Sequence, residues 1–188
     1  MQGLVLILCA LEVGAPEGSA ARAAKAVAEG RDTREAVRTL MRQGEYGLRA
    51  LVRASRKTRG RQRRRIYEAI GAFRGQAAVS ALLEGLRASD RQAQLGAVHG
   101  LSRIGTPATV EPLVQTAFTT DPEVREAVVA ALVKAGKPAE ERVAALAEDA
   151  SPFARETALR FHGRYYAGAR RRKAILRGFE DPEPNVRE

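Results

Sequence analysis

Apolar residues recur every three or four positions in the stretch from Asp121 to Gly136, DPEVREAVVAALVKAG. This spacing predicts a helix with one buried face. The apolar positions are Val124, Val128, Ala131, Leu132 and Ala135. Asp121 is placed to cap the helix, Pro122 suits its first position, and Gly136 is placed to end it. Because a single helix of this length is marginal in water, we expect it to pack on other helices.

The same signals return at nearly constant intervals along the chain. Asp90 and Asp121 are 31 residues apart, and Pro122, Pro152 and Pro182 follow one another at intervals of 30. Glycines placed to separate helices keep this interval, at Gly44, Gly75, Gly105 and Gly136. Apolar columns share the register, one at Ile66, Ala97, Val128 and Ala158 and another at Ile70, Leu101 and Leu132. The sequence therefore predicts internal repeats, each one a pair of helices.

Each repeat is expected to place one helix after an Asp or Ser-Pro signal and a second helix after the glycine. The predicted pairs are Asp32 to Ser55, Arg61 to Ala88, Asp90 to Thr119, Asp121 to Asp149, and Ser151 to Glu180. Asp181 to Glu188 opens a sixth pair. Pro112 falls in the first turn of a second helix, where the backbone N–H has no helical partner, so it is tolerated there.

These repeats resemble HEAT repeats of the phycobilisome-lyase-like kind. The stretches DPEVREAVVAALVKAG, SPFARETALRFHGR and SDRQAQLGAVHGLSRIG are similar to the first helix of that unit, and GTPATVEPLVQTAF and GQAAVSALLEGLRASD to the second. The resemblance begins near Arg31 and implies an all-α fold, a right-handed α-solenoid of about five HEAT-like antiparallel helix pairs. We expect this array to occupy residues 21–188, with its last repeat incomplete.

The family resemblance also assigns a structural role to one arginine in each repeat. In HEAT repeats of this kind, the Arg four residues after the initial Asp commonly bonds to the neighbouring repeat. Gln94 takes this position in the third pair. The residues that we expect to link repeats are Asp90, Asp121, Arg125, Arg155 and Arg187. An inward-facing guanidinium needs such a partner because an unpaired buried charge is costly.

Composition supports a helical protein and adds a strong positive charge. Hydrophobic residues make up 45% of the chain, aromatic residues only 5%, and Trp is absent, which favours packed helices over a sheet. The formal net charge is +10, which favours acidic partners such as nucleic acid, an anionic membrane surface or an acidic protein.

The positive charge is concentrated in two segments, here called the first and second basic runs. The first basic run contains eight cations and no acid: Arg53, Arg56, Lys57, Arg59, Arg61, Arg63, Arg64 and Arg65. The second contains Arg164, Arg170, Arg171, Arg172, Lys173 and Arg177, with Tyr165 and Tyr166 beside them. Twelve of these cations, excluding Arg164 and Arg177, are our candidate contacts for an anionic partner, although a charge run is often only a solvated face.

Placement in the predicted array argues against one continuous stripe of charge along a nucleic-acid duplex. The first basic run falls where a second helix returns to the next first helix, and the core of the second run falls where a first helix turns into its partner. We expect these corners on opposite rims of the array. Tyr165 and Tyr166 are expected to pack at a helix end rather than to stack on bases.

No set of residues indicates catalysis, a metal or a cofactor. His99 and His162 are 63 residues apart, about two repeats, so we expect them to be too distant to share one metal ion. Each is followed by Gly, so the His-Glu pairs of HEAT-type deoxyhypusine hydroxylases are not matched. Phosphate-binding glycine motifs are absent, and a chain without Trp poorly supplies the aromatic clamp of a HEAT-like DNA glycosylase.

The N-terminal segment has two interpretations. The apolar run from Gly3 to Leu11, followed by Gly18, Ser19 and Ala20, resembles a signal peptide spanning residues 1–20, although no basic residue precedes the run. The alternative is a first buried helix. We favour export, to a periplasmic or extracellular site, over a cytoplasmic location, and we expect no membrane span in the mature chain. Cys9, the single cysteine, excludes an internal disulfide.

Two functions remain open. The first is a non-catalytic scaffold in which the second helices line a concave face that binds an unidentified, acidic protein partner. The alternative is a protein that binds DNA or RNA, in a glycosylase-like manner, through its arginine-rich runs.

Ile175, Leu176 and Phe179 also form an apolar end face, which predicts self-association or continuation of the array.

Overall fold

The computed structural model describes residues 17–187, in two compact units, one ending at Gly100 and the other beginning at Leu101. Every regular element among these residues is helical, with no strand in the described range. The prediction of an all-α fold is confirmed. The apolar run from Gly3 to Leu11, and with it Cys9, lies outside the described residues.

The first unit contains five helices and most of a sixth within the described residues. They are α1 (residues 17–29), α2 (Thr33–Arg42), α3 (Glu45–Lys57), α4 (Gly60–Ile70), α5 (Gln76–Leu86) and α6 (Arg91–Ile104), of which the residues up to Gly100 belong to this unit. Helix α2 packs on α3, α3 on α4, and α4 on α5. The links within the pairs are two to five residues long, as in helical hairpins. The first two predicted pairs therefore correspond to α2–α3 and α4–α5.

The second unit follows the same plan. After the end of α6 come a 3-10 turn (Pro107–Thr109), α7 (Val110–Thr116), α8 (Pro122–Ala135), α9 (Lys137–Leu146), α10 (Pro152–Tyr165), α11 (Gly168–Phe179) and α12 (Pro184–Arg187). Helix α8 packs on α7, α9 and α10, and α10 packs on α9, α11 and α12. Thus α8–α9 and α10–α11 are the fourth and fifth pairs, and α12 opens the sixth.

The predicted helix-capping and helix-ending residues occupy those positions in the structure. The Asp121 carboxylate accepts hydrogen bonds from the backbone N–H groups of Glu123 and Val124, at 2.9 and 3.1 Å, and so caps α8. Gly136 ends α8 with a positive φ of 68°, a conformation that favours glycine, and α9 starts directly after it. Pro112 lies in the first turn of α7, as predicted.

The repeat register predicts the core. Residues of both apolar columns are fully buried, from Ile66 and Ile70 in the first unit to Val128 and Leu132 in the second. Close helix packing also depends on glycine. A Cβ added at Gly71 would lie 2.4 Å from the Gly100 Cα atom, too close for any side chain, so these two backbones in the first unit approach each other directly.

Helix α1 was not part of the predicted pairs. Its buried residues, Ala20, Ala24, Val27 and Ala28, have helical spacing and pack within the first unit. Gly18, Ser19 and Ala20, which were predicted to form a cleavage signal, lie in this helix. Among the helices of residues 17–187, none is both long and apolar enough to cross a bilayer.

Candidate interaction surfaces

The arginine positions expected to link repeats make such contacts in the second unit. Arg125 on α8 donates to the Thr119 carbonyl oxygen at 2.9 Å and lies 3.1 Å from Glu156 on α10. Its guanidinium also stands 4.8 Å from the centre of the Phe153 ring, which adds a cation–π contact. The side chains of Arg125 and Glu156 are each only 10% exposed, so this pair is largely shielded from water.

Arg155 repeats this arrangement, whereas Arg187 bonds, within the described residues, only to carbonyl oxygens just before it in the chain. Arg155 on α10 donates to both carboxylate oxygens of Asp181, at 2.7 and 2.9 Å, and to the Asp149 carbonyl oxygen at 2.9 Å. Hydrogen bonding to Arg155 lowers the pKa of the Asp181 carboxyl, and the same bond raises the pKa of Arg155. Arg187 donates to the Asp181 carbonyl oxygen at 2.6 Å.

The same repeat position is occupied in the first unit by Arg63 and Gln94. Gln94 donates to the carbonyl oxygen of Ala88, six residues before it, at 2.9 Å. The same bond, to the carbonyl oxygen six residues earlier, is formed by Arg125, Arg155 and Arg187. Gln94 therefore keeps the hydrogen bond to the segment that precedes its helix, but as a neutral side chain it forms no ion pair. Arg63 donates to the Ser55 carbonyl oxygen at 2.9 Å and lies 3.6 Å from Asp90, the first residue of the next repeat.

Asp90 receives two further hydrogen bonds. Its carboxylate accepts from the backbone N–H of Gln92 at 2.9 Å, at the start of α6, and from the backbone N–H of Gly60 at 3.3 Å, at the start of α4. Asp90 thus joins two successive repeats of the first unit, together with Arg63. Arg63 was predicted to be a cation available to a partner; its contact with Asp90 was not predicted, although the spacing of 31 residues between Arg63 and Gln94 could have indicated it.

The first basic run divides into an inward and an outward set. Arg63, Arg64 and Arg65 are partly buried on α4. Arg64 pairs with Glu68 at 2.9 Å, and Arg65 donates to the Ala28 carbonyl oxygen at 3.2 Å, at the end of α1. A cation is favourable there because the C-terminal end of a helix carries partial negative charge.

The outward set surrounds the corner between α3 and α4. Its five side chains are exposed: Arg53, Arg56, Lys57, Arg59 and Arg61. Arg56 reaches Glu84 only at 3.9 Å, and that pair is 70% and 60% exposed. The other four form no ion pair with the described residues. They therefore supply a local positive field to solvent.

A groove of about 540 Å³ lies beside this outward set, between α1 and α3. Its walls carry small residues, with Ala20, Ala21, Ala24 and Ala28 from α1 and Ala50 and Ala54 from α3. The α3 side also contributes Tyr46, Arg49, Arg53 and Lys57. Glu17 and Glu29 are the acids of the lining, against Lys25 and the three cations of α3. The groove is therefore largely apolar in its walls and positive along its α3 edge.

Three of the six cations of the second basic run are paired with glutamates. Arg164 lies 2.6 Å from Glu126, Arg170 lies 3.8 Å from Glu140, and Arg177 contacts Glu148. Arg171, Arg172 and Lys173 are exposed and form no ion pair with the described residues. A groove of about 780 Å³ runs between α9 and α11 over α10, and its charged lining contains four acids and four bases.

An aromatic cluster lies at the end of α10. Phe161 stacks on Tyr165 with ring centres 4.9 Å apart, and His162 stacks on Tyr166 at 5.0 Å. The Tyr166 hydroxyl donates to Glu140 at 2.9 Å. The pKa of Tyr166 is raised mainly by burial and, to a smaller extent, by this hydrogen bond. Burial lowers the pKa of His162, so its imidazole is neutral near pH 7.

His99, in the first unit, contacts a carboxylate. Its Nδ1 atom is 3.2 Å from Glu68, and this hydrogen bond lowers the pKa of the Glu68 carboxyl. Within residues 17–187, no three His, Cys, Asp or Glu side chains are arranged to hold a metal ion.

Comparison with known families agrees with the repeat geometry. The family model for HEAT repeats matches residues 48–133 and 79–160, which together cover more than half of the chain. The chain belongs to the HEAT-repeat family. The two overlapping matches run from α3 to α10, the region in which the helix pairs follow one another. No curated protein matches the sequence.

HEAT repeats form helical-repeat solenoids that generally serve as non-catalytic scaffolds and typically mediate protein interactions. The family therefore accounts for the helix pairs. It names no partner, so the surface that distinguishes this member must be found among its own exposed residues.

Proposed function

We propose that this protein is a non-catalytic HEAT-repeat scaffold that binds an acidic protein partner through the outward cations of the first basic run. One observation carries the proposal. Arg53, Lys57, Arg59 and Arg61 are exposed and unpaired among the described residues, and they stand beside the groove between α1 and α3. Exposed cations with no internal partner attract acidic surfaces and steer their association.

The experiment is capture of partners from the cells that make the protein. The full chain is cross-linked in those cells, purified after nuclease treatment, and analysed by mass spectrometry. We expect an acidic protein that is recovered with the wild type and is lost when Arg53, Lys57, Arg59 and Arg61 are each changed to Glu. Recovery of no specific protein, or equal recovery with this variant, contradicts the proposal.

Nucleic-acid binding is the second candidate, and it too has a specific observation in its favour. Five exposed cations lie within residues 53–61, a segment with no acid, and such a cluster also suits phosphate groups. The two candidates differ in their salt dependence. Binding to a DNA or RNA duplex that weakens about tenfold or more between 50 and 200 mM salt favours this second function, because phosphate contacts release counterions.

The end of the second unit is a further candidate contact. Leu176 and Phe179 on α11 are 57% and 61% exposed, and Ile175 lies beside them. We propose that this apolar face mediates self-association or receives another repeat. Sedimentation of the full chain checks self-association, since Leu176→Ser should lower the apparent mass if copies meet there.

A further inference from the structure

From the geometry of the first unit, we infer that the groove between α1 and α3 binds one acidic amphipathic helix of the partner. This inference rests on the proposed function and names the site and the kind of segment recognised. The apolar face of that helix would enter the groove, and its carboxylates would meet the cations of α3.

The dimensions of the groove fit a helix. Its lining extends along α3 from Tyr46 to Lys57 and along α1 from Glu17 to Glu29. Twelve residues of α-helix rise about 18 Å, so the groove can accompany a partner helix for about three turns. The alanines of both walls leave room for close approach of another helix, because small side chains allow backbones to come near each other. Tyr46, 47% exposed, adds apolar contact area at one end.

The charges of the groove also have helical spacing. Arg49, Arg53 and Lys57 follow one another at intervals of four residues along α3 and are all exposed. Successive members are therefore about 6 Å apart along the helix axis. Carboxylates at the same interval on a partner helix lying alongside would face them in turn. Arg49 contacts Glu45 on its own helix, whereas Arg53 and Lys57 have no ion pair in the described part of the chain.

Other occupants fit this surface less well. A second copy of the chain would bring the same positive edge against itself, and like charges facing each other disfavour association. A nucleic-acid backbone would satisfy the cations but leave the apolar walls uncovered, since phosphate contacts need no such groove. An acidic amphipathic helix matches both the walls and the charged edge.

The test uses a synthetic helical peptide of 14 residues, with Leu on one face and Glu at intervals of four on the other. A peptide of the same composition in scrambled order controls for charge alone. Each is titrated into the ¹⁵N-labelled full chain and followed by NMR. We expect the designed peptide to bind at least tenfold more tightly than the scrambled one, with shifts confined to α1, α3 and the start of α4.

Two variants locate the site. Arg53→Glu combined with Lys57→Glu should weaken peptide binding at least tenfold. The matched control, Arg171→Glu combined with Arg172→Glu, makes the same change in net charge on exposed cations of α11 and should change affinity less than twofold. Ala21→Trp places a bulky side chain on the exposed wall of the groove and should also weaken binding, while circular dichroism verifies that each variant is folded.

Several outcomes overturn the inference. These are equal loss of affinity in both double variants, equal binding of the scrambled peptide, or shifts outside the groove. Preferential binding of a DNA duplex or of anionic vesicles through Arg53 and Lys57 would assign the surface to another ligand. Contacts of residues 1–16 with the groove that the peptide does not displace would assign it to the chain itself. If cross-linking captures an acidic partner that the groove variants still bind, this inference fails while the proposed function stands.

Discussion

The two basic runs look alike in sequence but present different surfaces. In the first, three cations turn inward and four of the five outward cations remain unpaired, beside a groove with a positive edge. In the second, Arg164, Arg170 and Arg177 are paired with glutamates, beside a groove whose charges balance. Among residues 17–187, the two runs leave four and three exposed cations unpaired, so they differ less in available charge than in which cations are paired and in the charge of the groove beside them.

The difference arises from the helix that faces each run. Arg170 and Arg177 on α11 meet Glu140 and Glu148, which come from the preceding repeat and lie about one repeat earlier in the sequence. Of the five outward cations, only Arg56 has such an acid within residues 17–187, Glu84 at 3.9 Å. In a repeat protein, the carboxylate one repeat away decides whether an arginine stabilises the fold or remains available to a partner.

The largest effect on this comparison is expected from Arg63→Ala. This change removes the bond to the Ser55 carbonyl oxygen and the contact with Asp90, whose side chain is only 24% exposed. We expect the free energy of unfolding to fall by about 2 kcal/mol, because a partly buried charge-assisted contact is lost. Chemical denaturation measures the change. The neighbouring Arg61→Ala is the control, and its free energy of unfolding should stay within about 0.5 kcal/mol of the wild-type value. An equal loss of stability in both variants would contradict the division of this run into an inward and an outward set.

A smaller effect is expected from Arg164→Ala in the second run. Arg164 and Glu126 are both nearly half exposed, so their pair should contribute about 0.5 kcal/mol at low salt. High salt should remove most of this contribution by screening. Denaturation at two salt concentrations, with Arg171→Ala as the unpaired control, tests whether the second run is stabilised internally. If both variants respond identically to salt, Arg164 is as available as Arg171.

The smallest effect is expected from Glu140→Gln. Burial lowers the pKa of His162, and the negative charge of Glu140 partly opposes that shift, so the variant should have a still lower His162 pKa. Since the folded pKa lies below the unfolded value, stability falls as the pH drops below about 6.5, and the variant should lose more of it at acid pH. NMR titration of the imidazole measures the pKa. An unchanged or higher value would show that Glu140 does not act on this side of the groove.

Much of the architecture could be predicted because each repeat carries its own local signals. Asp121, Pro122 and Gly136 act within a few residues of themselves, and buried columns such as Ile66 and Val128 follow from the register. For the N-terminal segment, a buried helix was only the alternative prediction because its small residues resemble a cleavage site, although Ala20, Ala24, Val27 and Ala28 have helical spacing.

The division of the basic runs could not be predicted from the sequence alone. Pairs such as Arg170 with Glu140 depend on which faces of two separate helices meet, and no local pattern in the sequence gives the distance between those faces. The structural role of Arg63 could have been predicted, since Arg63 lies one repeat before Gln94. The repeat is harder to recognise there because Arg59 occupies the position of the initial Asp.

The most direct test of the account is site-specific photo-cross-linking in the cells that make the protein. A photoreactive amino acid is introduced in place of Ala21, in the groove between α1 and α3, or in place of Arg171 on α11. We predict that an acidic protein partner cross-links at position 21 and not at position 171. Cross-linking at position 171 alone, or only to nucleic acid at position 21, would contradict the account.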